Sequence, residues 1–439
     1  MDDAVDVVVV GGGVAGLTAA ATAAAAGRSV RLLDGHPGAN RAVTDHVGRF
    51  RFNRGGHALY RKGAGRPVLA RLGVEVSGKM PPLFGARGRR GDVVERLPLG
   101  PVSTLRGRLV PRRGMARLFR LAAGVPRWRP GELADRTAAA WFDELGLEGP
   151  TRELVEMLAR TTTYVADLDR VSADLIATQV RLALAGNVEY LHGGWETLLD
   201  GLAGAGRRHG VERVAAAARS VVPDGGRVRV TVAGDDGEQV ILARAAVVAA
   251  GAPDACTALL PDVPPAWQRL APPVQVACLD IGLAAPPPVP ALFGLDRPLY
   301  LVRHAPPADL APPGAAVVHA MRYLRAGETA TAAELRAELE EHARFAGVDP
   351  DAAEQVRYLH RMVACGAPPT PVTGGLAGRP AVGDTGLDGV LVAGDWVGRV
   401  GHLADAALVS GEEAGRRAAA HATGDGQAEV AEARLAAHG

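Results

Sequence analysis

Cysteine and lysine are scarce in this chain of 439 residues. The three cysteines, Cys256, Cys278 and Cys365, are far apart and form no Cys-x-x-Cys pair. This pattern argues against a disulfide scaffold or a zinc cluster, so we expect a reducing compartment and no bound metal. Lysine occurs only at Lys62 and Lys79. The formal net charge of +1 gives no reason to expect a nucleic acid as partner.

We expect neither a membrane span nor a cleaved signal peptide in the first residues. Val7–Gly27 has 21 residues without a charge, enough to cross a bilayer. However, its three consecutive glycines would break a membrane helix, and most of the remainder is alanine. Asp2, Asp3 and Asp6 stand where a signal peptide carries positive charge. We therefore expect a cytoplasmic protein.

The first 34 residues predict a strand, a glycine turn, a helix and a second strand. Val7–Val10 is apolar and β-branched, and Gly11–Gly16 follows it directly. An alanine-rich stretch then continues to Gly27, and a second apolar run, Val30–Leu33, ends at Asp34. This order is typical of a binding site for a dinucleotide.

Each glycine of such a turn has a purpose. Gly11 lets the chain leave the strand, Gly13 lets the backbone approach a pyrophosphate, and Gly16 lets the helix pack on the sheet. The free N–H groups where the helix begins, at Val14 and Ala15, favour phosphate.

An acidic residue ends the second strand. Asp34, followed by Gly35, lies 18 positions beyond Gly16, close to the spacing expected of a carboxylate that binds ribose hydroxyls. Because this carboxylate would repel a 2′-phosphate, FAD or NAD is favoured over NADP.

The second half of the chain predicts a different unit. Strand-like runs, Val274–Leu283, Leu299–Arg303 and Ala316–Met321, alternate with proline-rich patches, and residues 331–346 form a charged amphipathic helix. We expect an antiparallel sheet with helices, distinct from the parallel nucleotide-binding unit.

Four motifs, taken in order, resemble those of the flavin amine oxidase superfamily, and most of all its phytoene desaturase and protoporphyrinogen oxidase branch. They are Gly11–Gly16, Gly55-Gly56-His57, His192-Gly193-Gly194-Trp195, and Ala393-Gly394-Asp395-Trp396. Ser410-Gly411 completes the last motif.

The resemblance implies an α/β fold with a Rossmann-like FAD-binding domain and a discontinuous α+β substrate domain, an antiparallel sheet plus helices. The implied boundaries are 1–85, 196–270 and 375–424 for the FAD-binding domain, 86–195 and 271–374 for the substrate domain, and 425–439 for a C-terminal tail.

The resemblance also implies cofactor contacts. Ala218 would touch adenine through its backbone, Asp395 would bind the ribityl–pyrophosphate region, and Leu403 and Ala404 would present N–H groups to the flavin. The implied set, in chain order, is Gly11, Gly13, Val14, Ala15, Gly16, Asp34, Gly35, Arg41, Gly55, Gly56, Ala218, Gly394, Asp395, Leu403 and Ala404.

The chain departs from the family pattern at several positions. Asp34 replaces the usual glutamate, Gly38-Ala39-Asn40-Arg41 replaces a Gly-Gly-Arg motif, and Asp405-Ala406-Ala407 replaces an acidic-Gly-Ala step. No cysteine lies near the C-terminal motif, so we expect FAD to be non-covalent. The water-binding lysine of amine oxidases has no counterpart, since both lysines precede residue 80.

The resulting expectation is an FAD-dependent desaturase or oxidase that acts on a largely apolar small molecule by hydride transfer to flavin N5. An amine or amino-acid oxidase, and a non-catalytic lipid- or prenyl-binding escort protein, are the alternatives. The residues expected near the flavin are His57, His192 and Trp195 as catalytic candidates, and Tyr190, Trp396 and His402 as substrate contacts.

One basic segment stands out. Residues 86–130 contain twelve arginines and two acids, with leucines between them. Such a segment can lie on an anionic membrane surface, although a solvated basic face explains it as well. The electron acceptor and the oligomeric state are left open.

Overall fold

The computed structural model describes residues 5–38, 40–98, 109–234 and 237–423. Elements are numbered in chain order. The α-helices within these ranges are α1 (Val14–Ala25), α2 (Gly65–Arg71), α3 (Arg112–Gly124), α4 (Ala138–Glu144), α5 (Gly149–Thr163), α6 (Ala173–Gly186), α7 (Glu196–Arg208), α8 (Pro253–Thr257), α9 (Ala332–Phe345) and α10 (Ala404–Thr423). None of these described helices is long and apolar enough to cross a membrane.

The first sheet has seven strands. They are β1 (Val5–Val10), β2 (Val30–Leu33), β10 (Glu212–Val214), β11 (Ala218–Asp224), β12 (Arg227–Gly234), β13 (Gly237–Val248) and β19 (Val390–Val392). The order is β10-β2-β1-β13-β12-β11, and β19 pairs with the end of β13. Strands β10, β2, β1, β13 and β19 are parallel neighbours, whereas β11 and β12 add an antiparallel hairpin.

The first sheet is covered by helices because its central strands are apolar throughout. Val7, Val8 and Val9 have no exposed area, as expected of a parallel strand that is buried on both faces. Helix α10 packs closely on α1, since a Cβ at Gly411 would lie 2.5 Å from the carbonyl oxygen of Ala15. Small residues thus bring the last helix of the described chain against the first.

The second sheet also has seven strands. They are β7 (Arg87–Arg90), β8 (Val93–Arg96), β14 (Val274–Leu283), β15 (Ala291–Gly294), β16 (Leu299–Ala305), β17 (Ala316–Tyr323) and β18 (Gln355–Cys365), in the order β18-β14-β17-β16-β15-β7-β8. All neighbours are antiparallel except β15 and β7. Helix α9 covers one face through Leu335 and Leu339, and the other face looks towards the cavity described below.

Two small sheets complete the strands. Strands β3 (Thr44–Val47) and β4 (Phe50–Asn53) form a hairpin, and β9 (Val188–Leu191) pairs with both β5 (Leu59–Tyr60) and β6 (Gly78–Lys79).

The expected α/β fold is confirmed, as is the antiparallel sheet of the second half. The sequence did not predict that β7 and β8, from the basic segment, extend that sheet. Each large sheet draws its strands from separate parts of the chain. The exact domain boundaries stay a prediction.

Candidate functional site

A cavity of about 750 Å³ lies at the carboxyl ends of the parallel strands and reaches the second sheet. Ligands of open α/β sheets bind at this edge. We name two parts of its lining. The glycine wall consists of Gly11–Gly13, Asp34–His36, Ala216–Ala218 and Ala249–Gly251, and the sheet wall consists of Gly55–His57, Tyr164, Trp195, Val276, Met321 and Met362.

The glycine turn is shaped by close backbone contacts. Gly11 has φ +112°, and a Cβ there would lie 2.2 Å from the carbonyl oxygen of Ala249. A Cβ at Gly16 would lie 1.9 Å from the carbonyl oxygen of Gly11, whereas a Cβ at Gly13 would meet no atom within 4 Å. Gly11 and Gly16 are therefore needed for packing, and Gly13 leaves space in the cavity.

Helix α1 begins at this turn with its N–H groups open. Its N-cap residue is Gly13, no side chain caps it, and no acidic residue lies in its first turn. Val14 and Ala15 line the cavity. An uncapped helix N-terminus that faces a cavity is an anion site.

Asp34 is held beside the turn. Its Oδ2 lies 2.5 Å from Arg213 Nη2, and a Cβ at Gly12 would collide with the same oxygen. Gly35 packs against Ala217, where a Cβ would lie 2.7 Å from the Cα. The carboxylate is thus fixed at the end of β2, the position that a ribose-binding acid has in dinucleotide-binding units.

Arg41 and Asp395 form an ion pair that the sequence did not predict. Arg41 Nη1 and Nη2 lie 2.9 and 3.1 Å from the two carboxylate oxygens, and the Gly366 N–H donates to Oδ2 at 3.0 Å. Burial opposes ionisation of Asp395, but the charge and hydrogen bonds of Arg41 outweigh it and hold the pKa below its usual range. Asp395 lines the cavity as expected, yet its oxygens are committed to positioning Arg41.

The N-terminus of α10 is the second helix start in the lining. Leu403, with φ +50°, and Ala404 both line the cavity. The next residue, Asp405, accepts a hydrogen bond from Gly65 N–H at 2.8 Å. Burial raises the pKa of Asp405 to about 6, although this hydrogen bond opposes the shift.

The sheet wall approaches the cavity through a pair of glycines. Gly55 has φ +96°, and a Cβ at Gly56 would lie 2.8 Å from Met321 Cε. Tyr164 donates its hydroxyl to the Gly56 carbonyl at 2.7 Å. Tyr164 itself has φ 62° at the end of α5. Non-glycine residues with such backbone angles concentrate at functional sites.

His57 and Trp195 pack together on this wall, with ring centroids 4.9 Å apart. Burial lowers the pKa of His57 to about 4, although its hydrogen bond with the Gly55 carbonyl opposes the shift. His57 is therefore neutral at neutral pH. Trp195 Nε1 is buried without a protein partner, so a bound ligand can supply its acceptor.

Every predicted cofactor residue lines this cavity except Gly16, which packs behind it. Their contacts with a cofactor stay a prediction. Among the catalytic candidates, His57 and Trp195 are in the lining and His192 is not.

Four expected contacts do not line the cavity, and we correct their placement. His192 Nδ1 lies 2.9 Å from Asp309. Tyr190 is buried against His304, with ring centroids 3.6 Å apart. Trp396 donates Nε1–H to the Gly251 carbonyl at 2.8 Å, and His402 Nε2 lies 3.1 Å from the Thr163 carbonyl. Each side chain is engaged by the protein interior or by a neighbouring loop.

Sequence reasoning missed Tyr164, Met321 and Met362. These residues lie in no motif, and they reach the cavity because their strands and helix meet there in space. The one usable signal was the alternation of side chains between the two faces of β17, which places Met321 on the inner face of the second sheet.

The basic segment is only partly described, since residues 99–108 lie outside the described ranges. Arg89 and Arg90 form ion pairs with Glu341 and Glu153, which lowers the local excess of charge. Phe119 on α3 is 61% exposed. Membrane contact through this segment stays a prediction.

Comparison with known proteins agrees with this geometry. Residues 9–72 match the family model of NAD(P)-binding Rossmann-like domains. A comparison with curated proteins gives no match.

Solved structures resemble nearly the whole chain. An oxidoreductase from Methanosarcina mazei is 16% identical with a TM-score of 0.72, and covers 92% of this chain and 98% of its own. Cyclohexylamine oxidase from Brevibacterium oxydans is 18% identical with a TM-score of 0.69, covering 94% and 98%. Putrescine oxidase bound to putrescine is 16% identical with a TM-score of 0.68, covering 94% and 98%. At these identities the similarity establishes the fold, which is that of α/β oxidoreductases with a Rossmann-like nucleotide-binding domain.

Proposed function

We propose that this protein is an FAD-dependent oxidoreductase that dehydrogenates a largely apolar small molecule. The observation that carries the proposal is the composition of the sheet wall, where Val276, Met321 and Met362 line the cavity together with His57. Such a surface suits an apolar substrate with few polar groups.

The charges of the lining support the same substrate class. The carboxylates among the described lining residues are Asp34 and Asp395, and arginines bind both of them. Arg54 in the lining is itself paired with Asp45. A cationic substrate therefore finds no free carboxylate among the described lining residues.

The cavity fits non-covalent FAD. Gly13 leaves open space beside the uncapped start of α1, Arg41 is anchored for a pyrophosphate, and Asp34 is fixed for a ribose. None of the three cysteines is among the described lining residues, which argues against a thioether link. FAD supplies hydride acceptance at N5 when bound.

With FAD bound, residues of the chain would exclude water from the cavity, stabilise negative charge and accept a proton. Met321, Met362 and Tyr164 close the sheet wall, and the N–H groups where α10 begins would stabilise negative charge. Neutral His57 is the group on this wall that can accept a proton. Trp195 packs against the His57 ring at an interplanar angle of 56°.

An amine or amino-acid oxidase is the second candidate. The structural similarity to cyclohexylamine oxidase and putrescine oxidase favours it. A neutral amine needs no carboxylate partner and would lose its proton to the same His57.

Anaerobic mixing of the purified protein with candidate substrates tests the proposal. Bleaching of the flavin band by polyenes or other apolar compounds supports it. Bleaching by amines alone, with peroxide release in air, supports the second candidate. A protein that binds no FAD contradicts both and favours an escort role.

A further inference from the structure

Behind the sheet wall, the inner face of the second sheet carries a buried polar cluster. We call it the histidine cluster, and it consists of Asp280 on β14, Tyr300 and His304 on β16, His319 on β17 and Arg357 on β18. Asp280, His304 and His319 have no exposed area. Burying several polar groups costs stability unless they are used or paired.

Asp280 is the centre of the cluster. His319 Nδ1 lies 2.5 Å from its Oδ1, Arg357 donates from Nε and Nη2 to Oδ2 at 2.9 and 2.6 Å, and Cys278 Sγ lies 3.0 Å from Oδ1. Burial opposes ionisation, but His319 and Arg357 outweigh it and lower the pKa of Asp280. Asp280 is therefore a carboxylate at neutral pH.

This carboxylate fixes the tautomer of His319. A carboxylate only accepts hydrogen bonds, so Nδ1 must carry the hydrogen and the neutral ring has its lone pair on Nε2. That Nε2 is buried and has no partner. A buried imidazole held by a carboxylate with its other nitrogen free is equipped to take a proton.

A second free nitrogen lies nearby. His304 Nδ1 is also buried without a partner, and the His304 and His319 rings are 4.5 Å apart. His304 Nε2 lies 3.2 Å from the Tyr300 hydroxyl, which lies 3.2 Å from the Tyr190 hydroxyl. Burial, with His319 and His57 adding to it, lowers the pKa of His304 well below its usual value. His304 is therefore a weak proton acceptor.

The cluster adjoins the cavity. Side chains two residues apart on a strand share a face, so His319 shares the inner face with Met321, and Cys278 shares it with Val276. Met321 and Val276 line the cavity. Gly56, the neighbour of His57 in the lining, lies against the cluster itself, since a Cβ there would lie 3.1 Å from Tyr300 Cε1.

A metal ion is a poorer explanation of these groups. Cys278, Asp280 and His319 are close enough together to share one. However, burial and the Asp280 charge raise the pKa of the Cys278 thiol well above its usual value. A thiol is a weak metal ligand because the thiolate is the form that binds.

We propose that the Asp280–His319 pair is a buried proton-holding site that serves the cavity through His57. The inference rests on the proposed dehydrogenation. FAD, when bound, would supply the acceptor for one substrate hydrogen and its bonding electron pair, taken together as a hydride. The second hydrogen leaves as a proton, and its bonding electrons form the new double bond. His57 accepts that proton at the wall, and His319 Nε2 holds it next to Asp280.

The charged and titratable groups around His319 are Cys278 and Asp280 on β14, Tyr300 and His304 on β16, Arg357 on β18, and His57 from the loop after β4. Arg357 also pairs with Asp45 on β3, so its positive charge is shared between two carboxylates.

Histidine NMR on the purified full-length protein gives the first test, independent of turnover. We expect the ¹⁵N signals of His319 to place the hydrogen on Nδ1 and a free lone pair on Nε2, as the Asp280 carboxylate requires, and this pattern to change in Asp280→Asn. His342→Gln is the matched control, because His342 is equally buried under the opposite face of the same sheet. A His319 ring that carries its hydrogen on Nε2 would overturn the proposal, since that nitrogen could then accept no proton.

The pH profile of anaerobic flavin reduction gives the second test. In His319→Gln we expect reduction to slow by about 100-fold, with the acid limb of the profile displaced. His342→Gln should leave the profile unchanged. A His319→Gln profile of unchanged shape would overturn the proposal. If no substrate bleaches the wild-type flavin, the proposed function fails, and the NMR measurement still decides whether His319 Nε2 is free to take a proton.

Discussion

The two walls of the cavity are built in different ways. The glycine wall is largely backbone, drawn from the first strand–helix–strand unit and from loops at neighbouring strand ends. The sheet wall is largely side chain, drawn from β14, β17 and β18, the end of α5 and two loops. Backbone N–H groups recognise phosphate in any such turn, whereas side chains decide which substrate fits.

This difference indicates which wall of the cavity can change substrate specificity. A Cβ at Gly11 in the glycine wall, or at Gly16 behind it, would strike backbone atoms, so few residues are tolerated at these positions. In the sheet wall, Met321 and Met362 are flexible side chains that other apolar residues can replace. We expect the glycine wall to tolerate less variation than the sheet wall.

The largest effect should come from substituting Gly11. Gly11→Ala should destabilise the fold by about 4 kcal/mol, because a Cβ would strike the Ala249 carbonyl at a left-handed backbone angle. Gly13→Ala is the matched control, since its Cβ meets no protein atom. It should keep its melting temperature and lose affinity for FAD. Equal melting temperatures for the two variants would contradict the roles assigned to these glycines.

The next effect concerns the Arg41–Asp395 pair, which joins the loop after β2 to the loop after β19. Arg41→Met should destabilise the protein by about 2–3 kcal/mol, because it leaves the Asp395 carboxylate buried without its partner. Adding Asp395→Asn should recover much of this loss in denaturant unfolding. A double variant no more stable than the single one would argue against the ion pair.

Asp405 provides a pH-dependent test at the start of α10. Its folded pKa of about 6 exceeds the ordinary value of 3.8, so the folded state binds the proton more tightly than the unfolded state. Its contribution to stability is therefore fully present below the unfolded pKa and is lost as the pH rises through the folded pKa. Asp405→Asn should be about 2 kcal/mol more stable than wild type near pH 8 and nearly equal near pH 4. Unfolding curves at both pH values check this, and a gain confined to the lower pH would contradict it.

The smallest effect on stability should come from substituting Tyr164 in the sheet wall. Tyr164→Phe removes the hydrogen bond to the Gly56 carbonyl and should cost about 1 kcal/mol. The variant should keep FAD and raise the substrate KM more than it lowers kcat. Loss of FAD in this variant would mean that Tyr164 supports the cofactor rather than the substrate.

Sequence reasoning succeeded where the site is local. Gly11–Asp34 is one continuous unit, so spacing alone located the turn, the helix start and the acid. It failed where distant residues meet. Arg41 and Asp395 are 354 positions apart, and neither spacing nor residue type indicates that they pair.

The predicted contacts that do not line the cavity were missed for the same reason, because their partners are distant in the sequence. His192 stands beside two glycines and resembles a cofactor contact, but its partner Asp309 comes from a loop more than a hundred residues later. The histidine cluster joins four strands of the second sheet, and its members lie in no motif. Periodicity predicts which face of a strand is buried, and it does not predict which polar groups meet on that face.

The visible absorption spectrum of the purified protein, before and after heat denaturation and centrifugation, tests the central claim most directly. We expect a flavin band that moves entirely to the supernatant, as non-covalent FAD in the cavity requires. A colourless protein that also fails to take up added FAD would contradict the account.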